Sequence, residues 1–205
     1  MDMASGVAVQ RLSALHRAEI ERHLLRLSAE DRRLRFGRTM RDEAIQQYAA
    51  GIEFARDRVF GIHAPDLELV GVAHLALAPD RETAELGLSV DHSCRGRGYG
   101  RALLQRAVMH AANLGYRALF MHCLAENRVM MHLAVKAGLK VVIEAGEANA
   151  RLALDRRAHG GAMREAIEDQ FALVDYVLKQ QWSWLARPAL TPAQSAPAAR
   201  SATPR

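Results

Sequence analysis

Between Val90 and Leu104 the chain reads VDHSCRGRGYGRALL. Gly96, Gly98 and Gly100 alternate with bulkier residues, and arginines stand at 95, 97 and 101. The run lies where a strand pattern gives way to a helix pattern. A helix N-terminus already carries free N–H groups and partial positive charge, so cations beside it are unfavourable unless an anion joins them. Arg97 and Arg101 in that place point to an anion-binding loop rather than a bare turn. The anion is not held in a Walker loop, because no Gly-Lys-Ser/Thr follows. Nor does the dinucleotide fingerprint fit, because each glycine is separated from the next by one residue.

The elements that must position this loop are legible from periodicity. Residues 7–11 suit a short strand. Ser13 can cap a helix over residues 16–27 with Ile20, Leu24 and Leu27 on one side. The stretch holding Arg32, Arg33, Arg35, Arg38 and Arg41 reads as a solvated loop and helix start, or else as a docking rim for an acidic partner or coenzyme phosphate. A second helix is expected over residues 41–52. Residues 58–63 and 68–78 alternate as strands around an Ala64-Pro65-Asp66 turn. Residues 83–90 form a third strand, with Leu86, Leu88 and Val90 on one face and Glu85, Gly87 and Ser89 on the other.

The glycine loop then opens a helix over residues 98–113, ended by Gly115. Residues 117–124 suit a strand buried on both faces. A helix over 126–137 stops at Gly138, and 139–144 with 149–154 form a closing pair of strands. In a last helix over 162–185, Ile167, Phe171, Val174, Leu178, Trp182 and Leu185 step by three or four. Its stripe is expected to cover the sheet edge, or to make a homodimer contact anchored by Trp182 and Trp184. Residues 187–205 are rich in Pro, Ala and Ser and are expected to be disordered. The fold class is α/β with a central mixed sheet.

Two segments together resemble a known family. Arg95-Gly96-Arg97-Gly98-Tyr99-Gly100 is similar to the Arg/Gln-x-x-Gly-x-Gly/Ala loop of the GNAT N-acetyltransferases. The run from Asn127 to Leu139 keeps Asn127, Leu133 and Gly138 of that family's Asn-x-x-Ala-x-x-Leu-Tyr-x-x-x-Gly-Phe pattern. The segment LSAEDRRLRF (residues 27–36) looks most like the acetyltransferase domain of bacterial protein-lysine acetyltransferases. The resemblance implies a mostly antiparallel sheet flanked by helices over residues 1–157. An added helix at 158–186 would pack on that domain or in a dimer contact. It implies acetyl-CoA as co-substrate, bound by Arg95, Gly96, Arg97, Gly98, Tyr99, Gly100, Arg101 and Asn127, and no metal.

The implied activity is transfer of an acetyl group to an amine, a protein lysine ahead of a small amine, by direct attack in a ternary complex. Amines are mostly protonated at neutral pH, so a base must take a proton. The resemblance places Glu85 in that role and gives the oxyanion to the backbone N–H of Val90. The family's frequent tyrosine, which protonates the leaving thiolate, falls on Ala134, and alanine donates nothing. His132 stands two residues away, about 200° round the helix. Ala134 keeps open a second reading, a non-catalytic acyl-CoA-binding module.

Other groups are expected to be structural. His74, His110 and His122 read as hydrogen-bonded structural histidines, with His63 at a turn and His92 beside the loop. Cys123 suits the core, and Cys94 is expected to be exposed and oxidisable. The two cysteines have no metal-ligand spacing. The chain of 205 residues has 50% hydrophobic residues, 25% charged residues and a formal charge of +5. That balance suits one soluble domain and mildly favours anionic ligands, without the charge density or motif of a nucleic-acid binder. No long apolar run suggests a signal peptide or membrane helix, so the expected location is cytoplasmic.

Overall fold

The computed structural model describes residues 7–155 and 161–185. Seven strands form one sheet in the order β1-β2-β3-β4-β5-β7-β6. They are β1 (Gln10–Leu12), β2 (Arg58–His63), β3 (Leu69–Leu77), β4 (Thr83–Val90), β5 (Ala118–Leu124), β6 (Lys140–Glu144) and β7 (Glu147–Ala153). Every pairing is antiparallel except β4 with β5. The helices are α1 (Arg17–Arg26), α2 (Ala29–Phe36), α3 (Asp42–Ala50), α4 (Tyr99–Asn113), α5 (Arg128–Lys136) and α6 (Ala162–Leu185).

Alternation along the strands creates two cores. Val59 and Val72 pack with Ile20, Leu24, Ile45 and Ile52 from α1, α3 and their flanks. Phe60, Ala73, Leu86 and Leu88 pack on the other side with Leu103, Leu104 and Ala107 of α4. Strand β4 thus sends Ala84, Leu86 and Leu88 into the α4 core and turns Glu85, Gly87 and Ser89 the other way.

The parallel contact is short. Only Thr83, Ala84 and Glu85 pair with β5, opposite Ala118, Leu119 and Phe120. Strand β4 pairs with β3 as far as Val90, and β5 pairs along its whole length with β7. Beyond Glu85 and Phe120 the two central strands are therefore held by different neighbours, and they part.

Helix α2 lies where a solvated loop was one reading of the arginine run. It has few apolar residues and so no stripe to betray it. Its ends carry it instead. Ser28 Oγ accepts the N–H of Asp31 at 3.1 Å, and Gly37 leaves the last turn with φ +72°. Arg32 braces it by donating to the carbonyls of Leu25 (2.6 Å) and Leu27 (3.1 Å) and to Asp42 (2.6 Å).

Helix α6 also differs from expectation. Its apolar stripe does not lie against the sheet edge: Ile167, Phe171, Val174 and Leu178 are exposed. The domain-facing side is mostly charged. Arg106, on α4 and almost fully buried, is met by Glu165, Glu168 and Asp169. His110 and Asn113 hydrogen-bond Glu165. Periodicity places Ile167, Phe171, Val174 and Leu178 on one face, as found, but does not say which face turns inward. The side chains of Trp182 and Trp184, and residues 187–205, lie outside the described residues.

Burial alone would raise the Glu165 carboxyl. The hydrogen bonds from His110 and Asn113, with the charges of His110 and Arg106, outweigh it and hold the pKa at about 2, against an ordinary 4.5. A depressed carboxylate stabilises the fold above its unfolded pKa and loses that contribution as pH falls. Thermal unfolding of the wild type is expected to weaken between about pH 4.5 and 2 more steeply than that of Glu165→Gln. Parallel pH profiles for the two proteins would show that this contact does not hold α6.

Candidate coenzyme and acceptor site

A cavity of about 610 Å³ opens beside the C-terminal end of β4, beyond the last pair it makes with β5. That is within the range of small-ligand sites. One wall is the end of β4, at Leu88, Ser89 and Val90. The loop from Cys94 to Gly98 and the first turn of α4 form the second, with Asn127, Met130, Leu133 and Lys136 at α5 opposite. Asp31, Leu34 and Arg35 bring in α2.

Backbone donors converge here. Gly96 and Gly98 take φ of +75° and +81°, conformations that side chains resist. The first helical bond of α4 runs from Ala102 N–H to the Gly98 carbonyl at 3.0 Å. The N–H groups of Tyr99 and Gly100 thus have no helical acceptor. No acidic residue occupies this first turn. On β4, the Asp91 N–H donates to Val70 on the β3 side at 2.8 Å. Successive N–H groups of an extended strand point to opposite edges, so that of Val90 points into the gap.

The acetyltransferase (GNAT) family model matches residues 22–139, more than half of the chain. The chain belongs to that family. A mycothiol acetyltransferase from Propionibacterium freudenreichii is 30% identical over 145 residues, covering 69% of this chain and 41% of that protein. The chain spans less than half the length of the curated relatives it matches. Among solved structures, the GNAT domain of S. lividans PAT aligns with a TM-score of 0.61 at 19% identity, over 71% of this chain and 89% of that one. The Salmonella typhimurium protein yncA, solved with its cofactor acetyl-CoA, aligns at 0.56 and 18%, over 74% and 95%. At such identities the likeness concerns the fold, and the mostly antiparallel seven-stranded sheet is the GNAT fold.

Most of the residues singled out in sequence meet at this GNAT cavity. Val90, Arg95, Gly96, Gly98, Tyr99, Gly100, Arg101 and Asn127 all line it. Arg97 is exposed and does not reach the wall. Arg95 is drawn sideways into an ion pair with Asp31 at 2.6 Å. Asn127 caps α5 by accepting the Met130 N–H at 3.1 Å while remaining on the cavity wall. Glu85 stands at the apex of the gap, exposed, on the face away from α4. It is outside the cavity lining.

Ala134 is packed in the core, whereas His132 and Lys136 border the cavity. Cys94 is not exposed: it is buried in the cavity wall. Cys123 is buried too, and burial pushes its thiol pKa up. Among the described residues, no group of three or more His, Cys, Asp or Glu is placed to hold a metal, and no helix is long and apolar enough to cross a membrane.

One residue sequence reasoning missed is His23, which is fully buried on α1. Its Nε2 lies 2.9 Å from Ser89 Oγ, and its Nδ1 lies 3.1 Å from the Leu69 carbonyl and 3.2 Å from Asp91 Oδ1. Both neighbours of Val90 are thus clamped, which fixes the direction of its N–H. Burial works against the Asp91 carboxylate, but His23 and Arg26 outweigh it and keep its pKa low. The signal available in sequence was a histidine within the apolar stripe of Ile20, Leu24 and Leu27.

The cradle fits a pyrophosphate: open N–H groups, left-handed glycines and no competing carboxylate in the helix's first turn. The two glycines differ in what they need. A side chain at Gly98 is strained at φ +81°, costing about 1–2 kcal/mol. Gly100 has ordinary φ, and a Cβ there would lie 3.4 Å from Leu133 and 3.8 Å from Leu88, ordinary contacts. Gly98→Ala is expected to lower the melting temperature by several degrees and Gly100→Ala to leave it nearly unchanged. Equal shifts in thermal unfolding would contradict the assigned loop conformation.

Proposed function

We propose that this protein is an acetyl-CoA-dependent N-acetyltransferase in which the acceptor amine attacks the thioester directly. The observation that carries the reading is the gap that opens after Glu85 and Phe120, with the Val90 N–H directed into it and the α4 N-terminus beside it. The Gly96 and Gly98–Arg101 backbone would hold the pyrophosphate, and Asn127 would border the pantetheine arm. Acetyl-CoA supplies the activated acetyl group. The free amine would add to the thioester carbonyl, with charge gathering on the carbonyl oxygen where the Val90 N–H would donate. The C–S bond would then break, and the thiolate would leave as coenzyme A with the second proton of the attacking nitrogen.

Glu85 takes the proton from the acceptor ammonium. Its place outside the cavity lining and at the apex of the gap suits a base reached from the acceptor's side, directly or through one water. Ala134, sealed in the core, takes no part in protonating the thiolate. Protein lysine and small amines are both acceptors of this chemistry. The shape likeness to the GNAT domain of PAT bears on the fold, so it does not choose between them.

Glu85→Gln is expected to lower turnover by about 100-fold or more, the usual scale for a removed general base, while acetyl-CoA affinity stays within a few-fold. A variant with wild-type turnover would remove Glu85 from the mechanism.

A further inference from the structure

Arg35 stands apart from the other arginines around the cavity. Arg32 is paired with Asp42, Arg33 with Glu30 and Glu126, and Arg95 with Asp31. Arg35 is half-buried on the cavity wall, and among the described residues no carboxylate is within ion-pair distance of its guanidinium. A half-buried guanidinium on a cavity wall with no carboxylate beside it is placed to take an anionic partner by charge-assisted hydrogen bonds.

Its placement is built. The guanidinium lies across β4 at Gly87, where any Cβ would overlap it. It sits 4.8 Å from the Phe36 ring centroid and 5.8 Å from that of Tyr48. It donates to Tyr48 Oη at 3.0 Å. Tyr48 in turn contacts His74 Nδ1 at 2.6 Å, and His74 Nε2 contacts Asp57 Oδ2 at 3.1 Å. Burial lowers the His74 pKa, so a neutral ring accepts the tyrosine proton and donates its own to Asp57. The Tyr48 oxygen is then oriented to accept from Arg35. Among the described residues, its hydrogen bond to Tyr48 engages one donor of a five-donor fork, a shape that matches a carboxylate or similar oxyanion.

Gly87 lies between Glu85 and Ser89 on one face of β4, about 6.7 Å from each along the strand. A positive anchor and the proposed base are therefore neighbours on the acceptor's side of the gap. We propose that Arg35 binds an oxyanion carried by the acceptor beside its reacting nitrogen. This rests on the acetyltransferase reading above. The acceptor class is then an amine bearing a carboxylate or comparable oxyanion, and polycations are disfavoured. Two sources share this chemistry: a free amino acid, or a peptide lysine flanked by an acidic residue.

The test is acetyl-CoA-dependent thiol release with glycine, L-glutamate and L-leucine against their α-carboxamides. The same assay takes spermidine, and lysine peptides flanked by aspartate or by alanine. The carboxylate of the better source is expected to exceed its neutral counterpart by at least about tenfold in kcat/KM, the scale of a charge-assisted hydrogen bond. Arg35→Gln should collapse that ratio through KM. Gly87→Ala, which displaces the guanidinium and leaves α2 unchanged in sequence, should do the same. Preference for the carboxamides or spermidine, or a carboxylate preference that survives both substitutions in folded protein, overturns the proposal. If no amine releases thiol, the transferase reading fails separately. Titration of the same carboxylate and carboxamide probes into coenzyme A-loaded protein then decides the subsite, and equal affinities overturn it.

Discussion

The early end of pairing between β4 and β5 is the constraint on which the rest of the structure depends. Strand β4 follows β3 to Val90, and β5 follows β7 to Leu124, but the two share pairs only from Thr83 to Glu85. A fully paired sheet would consume the β4 N–H groups along this edge. Here the edge is left open, and the loop, the α4 N-terminus, α5 and α2 close round it. Strand pairing thus creates both the cavity and the donor on its floor.

Electrostatics then sets what the cavity accepts. The α4 N-terminus contributes partial positive charge with no acidic residue in its first turn. Nearby cations are sorted by pairing: Arg95 is partly neutralised by Asp31, while Arg35 is aimed by a neutral tyrosine and keeps its charge. His23 holds the residues either side of Val90, so a buried polar side chain on α1 steadies a backbone donor on β4. The same economy holds α6 through Arg106 and Glu165 rather than through its apolar stripe.

Much of this was legible in sequence where a local rule governs. Alternation located β2 and β4, and the glycine and arginine run marked the loop that opens α4. What escaped has physical reasons. Helix α2 is held by Ser28, Gly37 and arginine braces instead of an apolar face. Periodicity shows which residues of α6 share a face but not which face meets the domain. Arg35 looked like one of a solvated run because its special place comes from Gly87, fifty-two positions later. His23 and Cys94 required knowing which elements meet across the gap.

The most direct test of the account is calorimetric titration of acetyl-CoA into the purified protein, with adenosine diphosphate as a competitor. The account predicts saturable one-to-one binding that the diphosphate weakens by competition, because both present a pyrophosphate to the Gly96–Arg101 backbone. A folded protein that binds neither would contradict it, for the open edge of β4 and the α4 N-terminus would then serve no coenzyme.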